Sequence, residues 1–334
     1  MILESLRQAL VGLVLGSVLY VVTSPVWSLL SFQDKGVGTW EIFTWWVIPA
    51  TWIVVLILAA CSVWLALRRV AVTPLGVTKK IPPKGQSVIT LVLSVVGAVL
   101  LYRYLSSLTI APEADALEFV VMLVVAGGIL TVNALIAVGV IQLLARLSYR
   151  VPGAANYVAT RRVGRGAKTT WKRVTALYFV AFIGGTGGWY SAVPEIDEAP
   201  ALKMIAGDIP TGVVITVVFA TVLMVSSTLL TQALGVVEQK QLAKSLYFIG
   251  APAAFHTKVA AREVGVPMLV VSLLGFGMGS LMGTAMVFVY VDVMDKVLLF
   301  GVLVSVALIG CVLAVLGTGR LREKVLLGMG RAKD

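Results

Sequence analysis

One histidine, two cysteines and a charged fraction of 13% are what this 334-residue sequence has least of. The only histidine, His256, falls in a polar stretch beside Lys258, where a solvated or packing role is expected rather than catalysis, and Cys61 and Cys311 form no Cys/His metal set. Both cysteines fall inside long apolar runs, where a thiol serves as a small packing residue and a disulfide is not expected. Soluble domains carry roughly 25% charged residues, so a chain with half that share and 59% hydrophobic residues is not a water-soluble one. The segment Gly164-Arg165-Gly166-Ala167-Lys168-Thr169 approaches a phosphate loop, but Ala167 stands where glycine should precede the lysine, the upstream glycine is missing and no strand leads in. The chain is therefore expected to hold no catalytic residues, no metal and no cofactor of its own.

Long apolar runs are what it has instead, with a mean hydropathy of +0.99. A helix needs about 20 apolar residues to cross a bilayer. Eight stretches qualify, near 9–31, 43–66, 87–105, 118–144, 174–193, 211–236, 266–291 and 297–317. The fold class expected is all-α: a polytopic integral membrane protein of eight transmembrane helices. The first run is as long as a spanning helix and is expected to remain as one rather than be cleaved as a signal peptide. Residues 1–8 suit a short interfacial helix before it, and Gly12 and Gly16 should bring one face of the first span against a neighbour.

Orientation follows from charge, because short cytoplasmic loops collect Lys and Arg. Of the 27 basic residues only Lys35, Arg103, Lys203 and Lys296 fall on one side, which places that side outside and both termini in the cytoplasm. The acidic loop Pro194 to Pro210, with Glu195, Asp197, Glu198 and Asp208, lies on the outer side. The net charge of +11 is thus an orientation signal; basic residues scattered beside lipid do not make a nucleic-acid surface, and no nucleic-acid partner is expected. Trp40, Trp45, Trp46 and Trp52 suit headgroup anchors after a short first outer loop.

The most informative polar stretch is Glu238 to Glu263, between two apolar runs. Leu242, Leu246 and Ile249 fall on one helical stripe, Gly250 ends that helix, and Ala251-Pro252 turn the chain. A second short helix from Ala253 leads back to the membrane. Glu238, Leu246, Ile249-Gly250-Ala251 and Glu263 together resemble the signature of FtsX-like permeases, the membrane subunits of MacB-type ABC transporters. That resemblance implies that Leu246, Phe248, Ile249, Gly250 and Ala251 seat in a groove of a separate ATPase. Glu263 would then pair with basic cytoplasmic groups at the membrane edge. The large extracytoplasmic domain that MacB-type permeases place between their first two spans has no counterpart after residue 31, so a periplasm-spanning pump is not implied.

Setting Gly76 against Gly250 aligns spans two, three and four with six, seven and eight, which predicts an internal duplication. Residues 1–145 form the first four-helix unit, 146–173 a basic amphipathic cytoplasmic linker, and 174–334 the second unit with its coupling segment 238–263. The first unit's coupling loop, 67–86, is degenerate: Pro82 and Pro83 break any helix after Leu75-Gly76, a weaker second coupling site, and Ile89 replaces the glutamate. The linker carries Arg146, Arg150, Arg161, Arg162, Arg165, Lys168, Lys172 and Arg173 interleaved with Tyr149, Tyr157 and Trp171, the composition of a surface helix drawn to anionic headgroups. Gly184 and Gly188 in the fifth span, and Gly275, Gly279 and Gly283 in the seventh, recur every four residues and predict tight helix crossings.

No charged side chain sits at the centre of a span, which is where ion-coupled carriers place theirs. Uphill transport would need energy from another polypeptide. The expected function is the permease subunit of an ATP-driven transporter for a hydrophobic or amphipathic substrate. Its expected partners are two cytoplasmic ABC ATPase subunits, which bind ATP and Mg, and membrane lipids. The alternatives are a self-sufficient secondary transporter or channel, and a non-transporting scaffold or immunity protein.

Overall fold

A computed structural model describes residues 2–27, 31–32, 35–36, 46–71, 87–107, 116–190, 200–238, 245, 250, 253–286 and 293–327. Nine helices are found among them: α1 (Ile2–Trp27), α2 (Val47–Ala71), α3 (Val88–Ser107), α4 (Ala116–Ser148), α5 (Ala154–Arg165), α6 (Ala167–Tyr190), α7 (Pro200–Glu238), α8 (Ala253–Met286) and α9 (Met294–Leu327). A two-residue antiparallel pairing, Ser31–Phe32 with Lys35–Gly36, is the one departure from helix among the described elements.

Seven helices are long and apolar enough to cross a membrane: α1, α2, α3, α4, α7, α8 and α9. Their outward faces carry residues that water would not tolerate in such number. Leu93 is 65% exposed, Leu223 71% and Leu273 67%, which marks these faces as lipid-contacting. The fold is that of a helical multi-pass membrane protein.

Several boundaries differ from the sequence expectation. Residues 2–8 of the expected interfacial segment run without a break into the first span as one helix, α1. The outer loop expected to reach Pro210 gives way to helix at Pro200, where proline's fixed φ suits a first helical position. The short helix expected from Ala253 and the seventh span are one 34-residue helix with Pro267 inside it. Proline removes the hydrogen bond to the residue four earlier, here Glu263, but Pro267 is fully buried and neighbouring helices hold the turn in place.

The chain divides into two compact units, Met1–Ile81 with Ile196–Thr211, and Pro82–Glu195 with Gly212–Asp334. In the first, α1 packs on α2, and Trp52 Nε1 donates to Ser17 Oγ at 3.2 Å. Added Cβ atoms on Gly12 and Gly16 would meet nothing within 4 Å among the described residues, so within this unit α2 does not make the close approach expected there. A pair of small residues permits a crossing but does not supply the partner.

The second unit is built around α6, which packs on α4, α8 and α9. Val174, Leu177, Tyr178 and Ala181 of α6 are at most 1% exposed. Tyr178 donates to Asn133 Oδ1 of α4 at 2.6 Å, satisfying two buried polar groups with each other. Trp171, Phe179 and Phe182 surround the Tyr178 ring with centroids 5.3–6.3 Å away.

The α6–α8 crossing is made by glycines. A Cβ on Gly275 would lie 2.5 Å from the Tyr178 carbonyl oxygen, one on Gly279 would overlap the Phe182 carbonyl oxygen, and one on Gly283 would lie 2.7 Å from Trp189 Cβ. Contact positions rise together on the two helices, so α6 and α8 run parallel. Thr186 Oγ1 adds a bond to the Gly279 carbonyl at 3.1 Å. On the other side of α6, Gly184 and Gly188 seat Val304 and Val297 of α9, which runs antiparallel to α6. Such contacts let helix backbones approach where no hydrophobic force separates helix from lipid.

Candidate functional site

Gly250 is at a turn with φ 95°, a left-handed conformation that costs a side-chain-bearing residue about 1 kcal/mol or more. A Cβ there would meet nothing within 4 Å, so the glycine answers to backbone conformation and not to crowding. The neighbouring candidates Leu246, Phe248, Ile249 and Ala251 lie outside the described residues, as do Leu75 and Gly76 of the weaker second site.

Three residues after Gly250, α8 begins, and thirteen after it comes Glu263. Its side chain is 15% exposed and is held from two directions: Arg162 Nη1 donates to Oε2 at 3.2 Å and Arg173 Nη1 to Oε1 at 3.3 Å. Arg162 is on the last turn of α5 and Arg173 near the start of α6. One carboxylate therefore ties three helices together. The arginines are 34% and 39% exposed, so the clamp is worth less than a fully buried pair and more than a surface one, about 2 kcal/mol.

The local sequence sets up this arrangement. Gly153, at φ 127°, turns the chain after α4, and Asn156 donates to the carbonyls of Ser148 and Val151 at 2.7 and 2.9 Å. One buried amide thereby ties the last residue of α4 to the turn that follows it. Gly166 then breaks the helix for a single residue, its N–H reaching Arg162 and Val163 carbonyls, while its own carbonyl accepts from Thr170 N–H. The segment 146–173, expected as a linker, is thus the end of α4, a turn, the whole of α5 and the first turns of α6. α5 buries Asn156, Ala159, Thr160 and Val163 and leaves Tyr157, Arg161 and Arg165 exposed.

Sequence reasoning anticipated that Glu263 would meet basic groups but not which. It missed Asn156 as the lock on the turn, because the carbonyls that its amide answers are set by how the chain folds back and not by a local capping pattern. It also missed α6 as the centre of the unit. His256, in the first turn of α8, is half-buried and packs edge-on against Phe255.

An apolar cleft of about 410 Å³ lies between α8 and α9, lined by Leu273, Phe276, Leu298, Val302 and Leu308 with Ser272 and Ser305. The two serine hydroxyls donate to the carbonyls of Leu269 and Gly301 in their own helices, so the cleft offers an incoming molecule mainly hydrocarbon. Compared with known proteins, the chain matches no family model, no curated protein and no solved structure.

Proposed function

We propose that the chain is the permease subunit of an ATP-driven transporter, moved by a separate cytoplasmic ATPase that grips the elbow around Gly250. The observation that carries this reading is the Glu263 clamp at the base of an unbroken α8. A load applied at residue 250 would enter α8 three residues later and pass along a helix that runs to Met286, with the buried Pro267 inside it. Glu263 passes part of it to α5 and α6 through Arg162 and Arg173. The glycine crossing makes α6 and α8 move as one body, and Tyr178–Asn133 couples that body to α4. These are the connections a lever requires, and the resemblance of the elbow to FtsX-like permeases points to the same source of force.

In this reading α6 is an eighth crossing. It runs beside Gly275–Gly283, which lie within the apolar span Phe255–Thr284 of α8, and so lies at the same depth. Its glycines and threonines make it less apolar than its neighbours, and α8 and α9 shield them from lipid. Eight crossings return both termini to the cytoplasm. The helices then fall into the proposed quartets, 1–145 and 174–334, with Gly76 a vestige of the second elbow. The hydrocarbon-lined cleft between α8 and α9 favours a hydrophobic or amphipathic substrate.

The test is co-purification. Full-length tagged chain extracted from its own membranes is expected to carry a subunit that hydrolyses Mg-ATP. Leu246→Asp and Gly250→Asp should each reduce the associated hydrolysis about tenfold or more, since an aspartate at the centre of a desolvated contact costs several kcal/mol. Size-exclusion profiles of the variants should match the parent. Undiminished hydrolysis in both variants would contradict the docking site.

A further inference from the structure

A cleft of about 380 Å³ opens where α4 ends and α5 passes over it. Ala145 and Gly164 meet at its base, where a Cβ on Gly164 would lie 3.5 Å from that of Ala145. Arg146, Arg161 and Arg165 line it together with Tyr149. All three arginines are exposed, and among the described residues none has an acidic partner. Their neighbour Arg162 differs in this respect, being spent on Glu263. Arg161 is also placed: its guanidinium lies 5.7 Å from the Tyr149 ring centre and 5.4 Å from that of Tyr157, and the two phenols hold its charge more firmly still.

Three arginines lining one cleft, with no acidic partner among the described residues, suit a phosphate-bearing anion. The position of the cleft names the source. The candidate span of α4 ends at Ser148, so the cleft lies at the level where the apolar helix meets headgroups. Leu143 and Leu147, 49% and 56% exposed, continue from it along α4 into the span, which is what acyl chains would follow. We infer that this cleft binds the phosphodiester headgroup of an anionic phospholipid, with Arg146, Arg161 and Arg165 on the phosphate and the acyl chains lying along α4. The site would fasten the α4–α5 turn to one leaflet and does not depend on the ATPase reading.

Native mass spectrometry of the full chain in neutral detergent, titrated with phosphatidylglycerol or phosphatidylcholine, tests this. Phosphatidylglycerol is expected to bind about tenfold or more tighter. The triple change R146Q/R161Q/R165Q should erase the preference, whereas the charge-matched R150Q/K168Q/K172Q should keep it, because those residues do not line the cleft. Gly164→Leu, which fills the base without altering charge, should also erase it, and this variant decides the matter if the triple one does not fold. Equal loss in both triple variants, no preference in the parent, or retention in Gly164→Leu would overturn the site. Inorganic phosphate competing as well as the lipid would overturn the lipid assignment in favour of a free anion.

Discussion

Gly279→Leu is expected to leave no monodisperse folded protein after detergent extraction. The first side-chain atom at 279 would overlap the Phe182 carbonyl oxygen and sit 2.9 Å from its carbon, and these are backbone atoms that no rotamer change can move. α6 and α8 would have to separate, losing the Thr186–Gly279 bond and the seats of Tyr178 and Trp189 as well. Even Gly279→Ala should cost about 2–3 kcal/mol, the range of core overpacking. Gly277, two residues away, is the control. A Cβ added there would meet nothing within 4 Å, so Gly277→Ala should be neutral or stabilising by up to about 1 kcal/mol. Fluorescence-detected size exclusion and thermal melts would separate the two positions; equal tolerance at both would show that the crossing is not as close as described.

Glu263→Arg should have the second largest effect. It places a third guanidinium between Arg162 and Arg173, turning two attractive contacts into two repulsive ones at a position only 15% exposed. The arginines are partly solvated, which moderates the loss to about 3 kcal/mol, and a drop in melting temperature of about 5 °C or more follows. The reversed set E263R/R162E/R173E should recover at least half of it, since the charges again alternate. If α8 carries force from the elbow, Glu263→Arg should also uncouple ATP hydrolysis from substrate in the purified complex, and the reversed set should recouple it. Melting like the parent would mean that the two pairs form without holding the helices together.

The fold was largely legible where apolar runs alone decide it. The spans at 87–105 and 297–317 match α3 to within one residue and α9 to within three at their starts, because an apolar run of sufficient length has few alternatives to a helix in a bilayer, although α9 continues past its apolar run. Junctions were harder. Lys258, Arg262 and Glu263 made the start of α8 look like a separate cytoplasmic helix, yet Glu263 is satisfied laterally by α5 and α6, so no break is needed. Pro200 reads equally as a loop residue or a helix start, and the structure uses it as the latter.

Small-residue patterns show the same limit. Gly275, Gly279 and Gly283 form one face that meets α6, whereas Gly277 between them and the Gly12–Gly16 pair meet nothing within 4 Å. Spacing identifies a face that can be approached, and tertiary topology decides whether anything approaches it. The candidate site was legible to the same degree. Glycine at the elbow and a carboxylate thirteen residues later are local features, but the arginines that answer the carboxylate are 101 and 90 residues away in sequence.

An ATPase can move this chain as proposed only if the Gly250 elbow lies in the cytoplasm within its reach. Ser245, exposed beside it, can be changed to cysteine in a background where Cys61 and Cys311 are serine. Labelling by a membrane-impermeant maleimide would then be compared in right-side-out and inverted vesicles. Labelling is expected in inverted vesicles alone, slowed when the hydrolysing subunit is left in place and restored when it is stripped away. Labelling of right-side-out vesicles, or of neither preparation, would contradict that placement.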